Sequence, residues 1–335
     1  MIVVTGGAGF IGSNLIEGLN ARGETDLLLV DDLTDSAKIK NINDLAVADY
    51  LDKDEFIDKL ERSNLVRDIS YVFHLGACSD TMVGDGRFVM SVNYEYSKRL
   101  LAVCNASEIP MVYASSASVY GKEGPFSEDA KDCLPLNAYA YSKTLFDHFA
   151  WSQSRSATNQ LVGLRYFNVY GPRESHKGRM ASVAWHLTHQ YAERAAVRLF
   201  QGSGGYADGE QRRDFVHVSD AVRANLFFFE HRDTSGIFNV GTGQSRSFND
   251  VALAVINACR LVDGQASLDL ADAVNQGFLS YFPMPDALKG KYQNFTEASM
   301  EKMWATGFES PCVDVPSGVG QYAQSIYRDL KLNGA

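Results

Sequence analysis

The sequence predicts an α/β protein: a Rossmann-type doubly wound parallel sheet followed by a smaller mixed α/β C-terminal substrate domain. Three observations predict it. Short β-branched or apolar runs alternate with helical patterns up to about residue 170, a glycine-rich heptad follows the first run, and the pattern loosens beyond. Regular alternation of strand and helix builds parallel βαβ units. The strand-like runs lie at 2–4, 27–30, 71–74, 111–114 and 161–165, and helix-like apolar spacing covers 11–21, 53–60, 91–105 and 140–154. Neither internal repeats nor low-complexity segments interrupt them. Residues 1–170 therefore read as a dinucleotide-binding domain, to which about 213–245 return, and 171–330 as mainly the substrate-binding domain. Gly171-Pro172, Gly202-Ser203-Gly204-Gly205 and the prolines 283 and 285 punctuate this second part. Such an arrangement places a ligand cleft between the two, at the carboxyl ends of the strands.

Composition narrows the function classes. The chain of 335 residues is 45% hydrophobic, enough to fill a sizeable core, and carries a formal net charge of −10. That charge, with no Lys/Arg cluster, argues against nucleic acid as a partner. Cys78, Cys104, Cys133, Cys259 and Cys312 are widely spaced, without a CxxC pair or neighbouring His. They read as buried thiols of a reducing compartment, with no metal site. Met1 leads straight into an apolar strand with no basic segment, cleavage site or long apolar run, so no membrane partner is expected and a cytoplasmic location is.

The heptad Gly6-Gly7-Ala8-Gly9-Phe10-Ile11-Gly12 follows a strand and opens a helix. By itself it could be a mere turn. About 20 residues further on, Asp31-Asp32 ends the second strand, where a carboxylate can bond ribose hydroxyls, and the combination marks a dinucleotide site. Gly6 permits the tight turn, Gly9 lets backbone N–H groups approach the pyrophosphate, and Gly12 lets helix and strand pack closely. Asp31 and Asp32 favour NAD because a carboxylate repels the 2′-phosphate of NADP. Lys38 and Lys53, if they are more than solvated charge, could reach that phosphate, so charge alone leaves the two cofactors open.

A second constellation carries chemistry. Tyr139 and Lys143, within Tyr139-Ala140-Tyr141-Ser142-Lys143, share one helical face, whereas Leu145 stands four places after Tyr141. An ordinary tyrosine titrates near ~10, so a neighbouring ammonium is needed to make it a useful base. Upstream, Ser115-Ser116-Ala117-Ser118 follows a strand and offers a hydroxyl to a substrate, or simply forms a turn.

Together with the glycine heptad, these features resemble the extended short-chain dehydrogenase/reductase family over nearly the whole chain. The resemblance implies a triad of Ser116, Tyr139 and Lys143. It puts Phe10, Ile11, Leu75, Gly76, Ala77, Cys78, Ser79, Asn93, Val169 and Lys177 beside the cofactor. Arg165-Tyr166-Phe167-Asn168-Val169-Tyr170-Gly171-Pro172-Arg173 looks like the signature shared by the nucleotide-sugar branches. Sugar 4,6-dehydratases carry an Asp-Glu pair that Ser116-Ala117-Ser118 lacks. The runs from Glu174 to Val183 and from Leu288 to Gln293 are similar to the ADP-L-glycero-D-manno-heptose 6-epimerase branch.

That resemblance implies oxidation at C6 of the heptose of ADP-heptose by bound NADP and return of hydride to the other face, in heptose synthesis for the lipopolysaccharide core. Two faces need two proton handlers. Tyr139 serves one, and the family pattern assigns Lys177 to the other; a lysine can act so only with its pKa depressed by burial or by cations such as Lys143. Substrate contacts carried over are Ser116, Asn168, Arg179, His186, Phe200, Gln201, Gly202, Ser203, Arg213 and Tyr292. A guanidinium such as Arg213 suits diphosphate oxygens. Also implied are one tightly held NADP per subunit and a homo-oligomer, a pentamer. The sequence departs from the pattern at residues 204–210, which lengthen a loop and leave Arg212 an alternative to Arg213, and at Leu75, Val92 and Arg179. Competing readings are a UDP-hexose 4-epimerase and a dinucleotide-sensing binding module without chemistry.

Overall fold

The computed structural model describes residues 1–122, 124–154, 158–285, 293–309, 312–332 and 334. The first half unfolds as β1 (Ile2–Thr5), α1 (Phe10–Asn20), β2 (Leu27–Asp31), β3 (Asp49–Asp52), α2 (Lys53–Arg62), β4 (Tyr71–His74), α3 (Gly86–Met90), α4 (Tyr96–Ala106), β5 (Met111–Ser116), α5 (Ala138–Ser154) and β6 (Leu161–Tyr166). The remainder contributes β7 (Asn168–Tyr170), α6 (Val183–Arg194), β8 (Val197–Phe200), β9 (Arg212–Arg213), β10 (Phe215–His217), α7 (Val218–Glu230) and β11 (Gly236–Val240). It closes with β12 (Arg246–Ser247), α8 (Phe248–Val262), α9 (Leu270–Asn275), β13 (Leu279–Phe282), α10 (Glu301–Trp304) and α11 (Val315–Leu332).

Seven strands form one parallel sheet in the order β11-β6-β5-β4-β1-β2-β3. The five expected strands are all in it. Their period of two sends alternate side chains to opposite faces. Ile2 and Val4 join the core under α1 and α7, while Val3 joins Phe56, Leu100 and Phe146 under α2, α4 and α5. Both faces are thus covered, as parallel sheets require. The chain leaves this sheet at Tyr166 and comes back to it with β11, where Val240 pairs with Tyr166.

Two differences from the sequence expectation have physical causes. β3 is unexpected, because of Asp49-Tyr50-Leu51-Asp52 only Leu51 is buried, so this edge strand shows no apolar run. The helix expected over 91–105 begins earlier, as α3, and passes through a π-turn at Ser91–Glu95 before α4. After β6 the strands outside the large sheet are short and paired in twos, β10 with β7, β12 with β9 and β13 with β8, around an apolar cluster between α6, α8 and α11. Among the described residues no helix is long and apolar enough to cross a membrane.

β2 lies on one side of β1 and β4 on the other, so consecutive crossovers run in opposite directions from β1. Ligands of open α/β sheets bind where the order reverses, at the strands' carboxyl ends. A cleft of about 1370 Å³ opens there, walled by Thr5, Gly76, Ser116 and Tyr166 on the sheet side and by residues 167–169, 176–177 and 179–183 on the other.

Candidate active site

The glycine turn forms one end of the cleft. Gly6 has φ +69°, donates to the Val30 carbonyl at 2.7 Å, and lies so close to the loop after β4 that a Cβ would meet Gly76 N at 2.6 Å. A Cβ on Gly12 would sit 2.1 Å from the Gly6 carbonyl oxygen. Gly9 caps α1 without a side chain, so the first N–H groups of the helix open on the cleft beside Gly9, Phe10, Ile11 and Gly12. Backbone donors at a helix N-terminus in a cradle that side chains would fill fit the pyrophosphate of a dinucleotide.

Asp31 and Asp32 divide their labour. Asp31 is buried, and its carboxylate accepts from Ala8 N–H at 2.8 Å, Asp32 N–H at 2.7 Å and Lys38 Nζ at 2.9 Å. It ties the glycine turn to β2. Asp32 is the more open acid, held down to about 2 by the Thr34 backbone N–H, the Thr34 hydroxyl and Lys53. Lys53 Nζ lies 3.2 Å from it. Each lysine thus neutralises one acid at the end of β2, and all four side chains line the cleft.

Ser116, Tyr139 and Lys143 meet in the middle. Ser116 ends β5, where its Oγ accepts from Ser118 N–H at 3.2 Å, and Asn137 accepts the Ala140 N–H at 2.8 Å to start the helix that carries Tyr139 and Lys143. Lys143 is buried and donates to the Ala114 carbonyl at 2.8 Å. Burial lowers it to about 8, against the opposing pull of Asp147 and Cys78. The expected depression of Tyr139 by this ammonium is not what the geometry produces. Burial raises the phenol, and the hydrogen bond with Ser116 is the influence that counters it.

The loop after β4 supplies the wall, with Leu75, Gly76, Ala77, Cys78 and Ser79 on the cleft. Asn93 stands behind it. Its Oδ1 accepts the Cys78 N–H at 2.8 Å, and its Nδ2 donates to the Cys78 carbonyl at 3.0 Å and to Ser142 Oγ at 3.1 Å. Ser142 Oγ in turn donates to the Tyr139 carbonyl at 2.7 Å, so Asn93 joins the loop after β4 to the first turn of α5.

From the opposite side, the Ser175–Met180 turn brings Lys177 in, its Nζ 5.1 Å from the centre of the Phe10 ring. Burial lowers its pKa, with Glu174 opposing. Burial is one of the two causes sequence reasoning offers; Lys143 is not the other. Asn168, Val169 and Arg179 also line the cleft, and Arg179 closes on Asp80 at 2.6 Å across its mouth.

Other expected substrate contacts lie apart. Among the described residues His186, Phe200, Gln201, Gly202, Ser203 and Arg213 are not on the cleft wall. His186 Nε2 sits 3.3 Å from the Arg179 carbonyl, Phe200 packs on Phe282, the Gln201 N–H bonds the Phe282 carbonyl, Gly202 N–H bonds Asp208, and Ser203 Oγ bonds Asn294. Arg213 is buried behind Phe248, its guanidinium 5.6 Å from the ring centre and bonded to the Arg212 and Gln293 carbonyls. Arg212 instead bonds Ser245. Tyr292 and the 288–291 run lie outside the described residues. Phe215, Phe248 and Asp80, which sequence reasoning missed, do line the cleft. An apolar residue in a strand or at a helix start carries no signal that separates cleft from core.

Comparison with known proteins places these features in context. The model of the NAD dependent epimerase/dehydratase family matches residues 2–241. The chain is 51% identical over 324 residues to the ADP-L-glycero-D-manno-heptose-6-epimerase of Thiobacillus denitrificans, covering 97% of this chain and 98% of the relative. Among solved structures it is similar to the ADP-L-glycero-D-manno-heptose-6-epimerase of Helicobacter pylori, at 30% identity and TM-score 0.79 over 97% of this chain and 96% of that one. It is also similar to UDP-glucose 4-epimerase from Thermus thermophilus, solved with NAD, at 28% identity and TM-score 0.76 over 98% of both.

Proposed function

Because the chain belongs to the NAD dependent epimerase/dehydratase family, we propose that it interconverts ADP-D-glycero-β-D-manno-heptose and ADP-L-glycero-β-D-manno-heptose at C6, in the supply of heptose to the lipopolysaccharide core. The observation that carries this reading is that Tyr139 from α5 and Lys177 from the Ser175–Met180 turn line one cleft, where each could handle a proton. A bound nicotinamide dinucleotide supplies reversible hydride transfer. The side chains do the rest. Tyr139, bonded to Ser116, takes or gives the proton of the C6 hydroxyl on one face; Lys177, desolvated against Phe10, does so on the other. Lys143, fixed on the Ala114 carbonyl, lines the same cleft beside Ser116 and Tyr139. Of the expected substrate contacts, Ser116, Asn168 and Arg179 are on the cleft wall.

We read the cofactor as NADP. With Asp31 committed to the Ala8 and Asp32 N–H groups, the repulsion of a 2′-phosphate is muted, and Lys38 and Lys53 stand beside its place. Residues 1–170 with about 213–245 serve this cofactor, and most of 171–330 the sugar nucleotide. We read the enzyme as a homopentamer, which light scattering on the purified protein tests. The compartment is the cytoplasm, in keeping with five free thiols.

Incubating purified protein with ADP-D-glycero-D-manno-heptose, without added cofactor, and resolving the C6 epimers by NMR tests the function. Interconversion supports it. Absence of interconversion by cofactor-loaded protein, or turnover of UDP-glucose at C4 in its place, overturns it.

A further inference from the structure

An acid that neither the strand-end motifs nor the glycine turn points to lies behind Lys177. Glu174 is fully buried, yet its carboxylate gathers donors from both ends of one short segment: the Ser182 N–H at 2.6 Å, the Ser182 hydroxyl at 2.7 Å and the Gly171 N–H at 3.4 Å. Tyr322 of α11 adds its hydroxyl. Converging donors suit a group that only accepts, and a charged acceptor makes each bond stronger. The Glu174 carbonyl meanwhile accepts the Lys177 N–H at 2.9 Å. Between these ties the chain kinks at Gly178, whose φ of 52° and ψ of −123° are open to glycine and little else.

We propose that Glu174 is a positioning residue for Lys177: its buried carboxylate ties the ends of the segment from Gly171 to Ser182 together and sets both the place and the charge state of the amine this segment presents. A desolvated amine with no anion nearby loses its proton, and one held near a buried carboxylate keeps it longer. Glu174 is the anion that opposes burial at Lys177. The other groups facing it are few. His176, on the same segment, is bonded to Asn41 and held below its ordinary value by burial, Lys38 and Lys177 itself. From α1 comes only the Phe10 ring; Tyr139 and Lys143 of α5 stand on the same cleft, and Asp80 and Arg179 at its mouth are paired with each other.

The inference rests on the two-base reading for its consequence in catalysis, and its test needs no turnover. Brief acetylation of the purified protein with acetic anhydride across a pH series, read peptide by peptide by mass spectrometry, gives the titration of each lysine. In Glu174→Gln the Lys177 titration is expected to fall by about one unit, while that of Lys38 stays in place. Identical Lys177 titrations in wild type and folded Glu174→Gln overturn the proposal. Should circular dichroism show that Glu174→Gln does not fold, Ser182→Ala decides. It is expected to raise the labelling rate of Lys177 relative to Lys38 at the high-pH plateau, and an unchanged ratio overturns the proposal. Full epimerisation by Lys177→Met would instead sink the two-base reading and leave the labelling result standing.

Discussion

Lys143 and Lys177 are both amines pushed below the ordinary lysine range by burial, and the surroundings of each decide what it can do. Lys143 hydrogen-bonds a carbonyl as a donor and sits at about 8, so it is the group whose charge is lost as the pH rises through that value. The rate of epimerisation is expected to fall above about pH 8 for this reason. In Lys143→Arg, whose guanidinium stays charged, that limb should vanish from the pH–rate profile even though the maximal rate drops. Lys177 is lowered by burial, which favours the neutral amine and suits it to accept a proton. Lys177→Met and Tyr139→Phe are each expected to lower kcat by about 10²-fold or more, the range general acid–base groups contribute. NMR assay of C6 epimers with each variant reads this directly.

At the scale of elements, the turn between β1 and α1 is the tightest construction in the site. A methyl group at position 12 has nowhere to go, since its nearest neighbour would be a backbone oxygen 2.1 Å away. Gly12→Ala is expected to cost about 1–3 kcal/mol of stability, read by thermal denaturation, and to weaken dinucleotide binding at least tenfold in a fluorescence titration (1.4 kcal/mol is tenfold). At the end of β2 stand the two acid–lysine pairs on which the NADP reading rests. Lys38→Ala should weaken NADP about tenfold and NAD far less, which calorimetry with both cofactors would reveal; equal losses would count against NADP as the cofactor. These elements are the legible ones. Strand, glycine turn and helix follow from apolar runs and glycine spacing, and Tyr139 with Lys143 from helical periodicity. Other features escape such reasoning because they depend on contacts between distant segments. Asn93 acts through the Cys78 backbone and Ser142, β3 buries a single side chain, and Phe200 to Ser203 turn toward β13 and Asn294.

For the molecule as a whole, the cleft belongs to two bodies of structure. The large sheet supplies the glycine turn, Ser116 and the α5 pair, and the segment leaving the sheet at Tyr166 supplies Lys177 and Arg179. Residue 173 fastens that segment back to the first body: Arg173 pairs with Asp44 at 2.8 Å and Glu17 at 3.1 Å. Tyr139 and Lys177 are therefore held on one cleft by contacts that reach far along the chain, and on the proposed mechanism a sugar carbonyl that shows either face finds one of them. The direct test is a substrate labelled with deuterium at C6. ADP-D-glycero-D-manno-heptose so labelled, incubated with purified protein in ordinary water, should yield the L-glycero epimer with deuterium still on C6, because the hydride leaves and returns within one site. Formation of that epimer with protium at C6, or no epimer at all, would contradict the account.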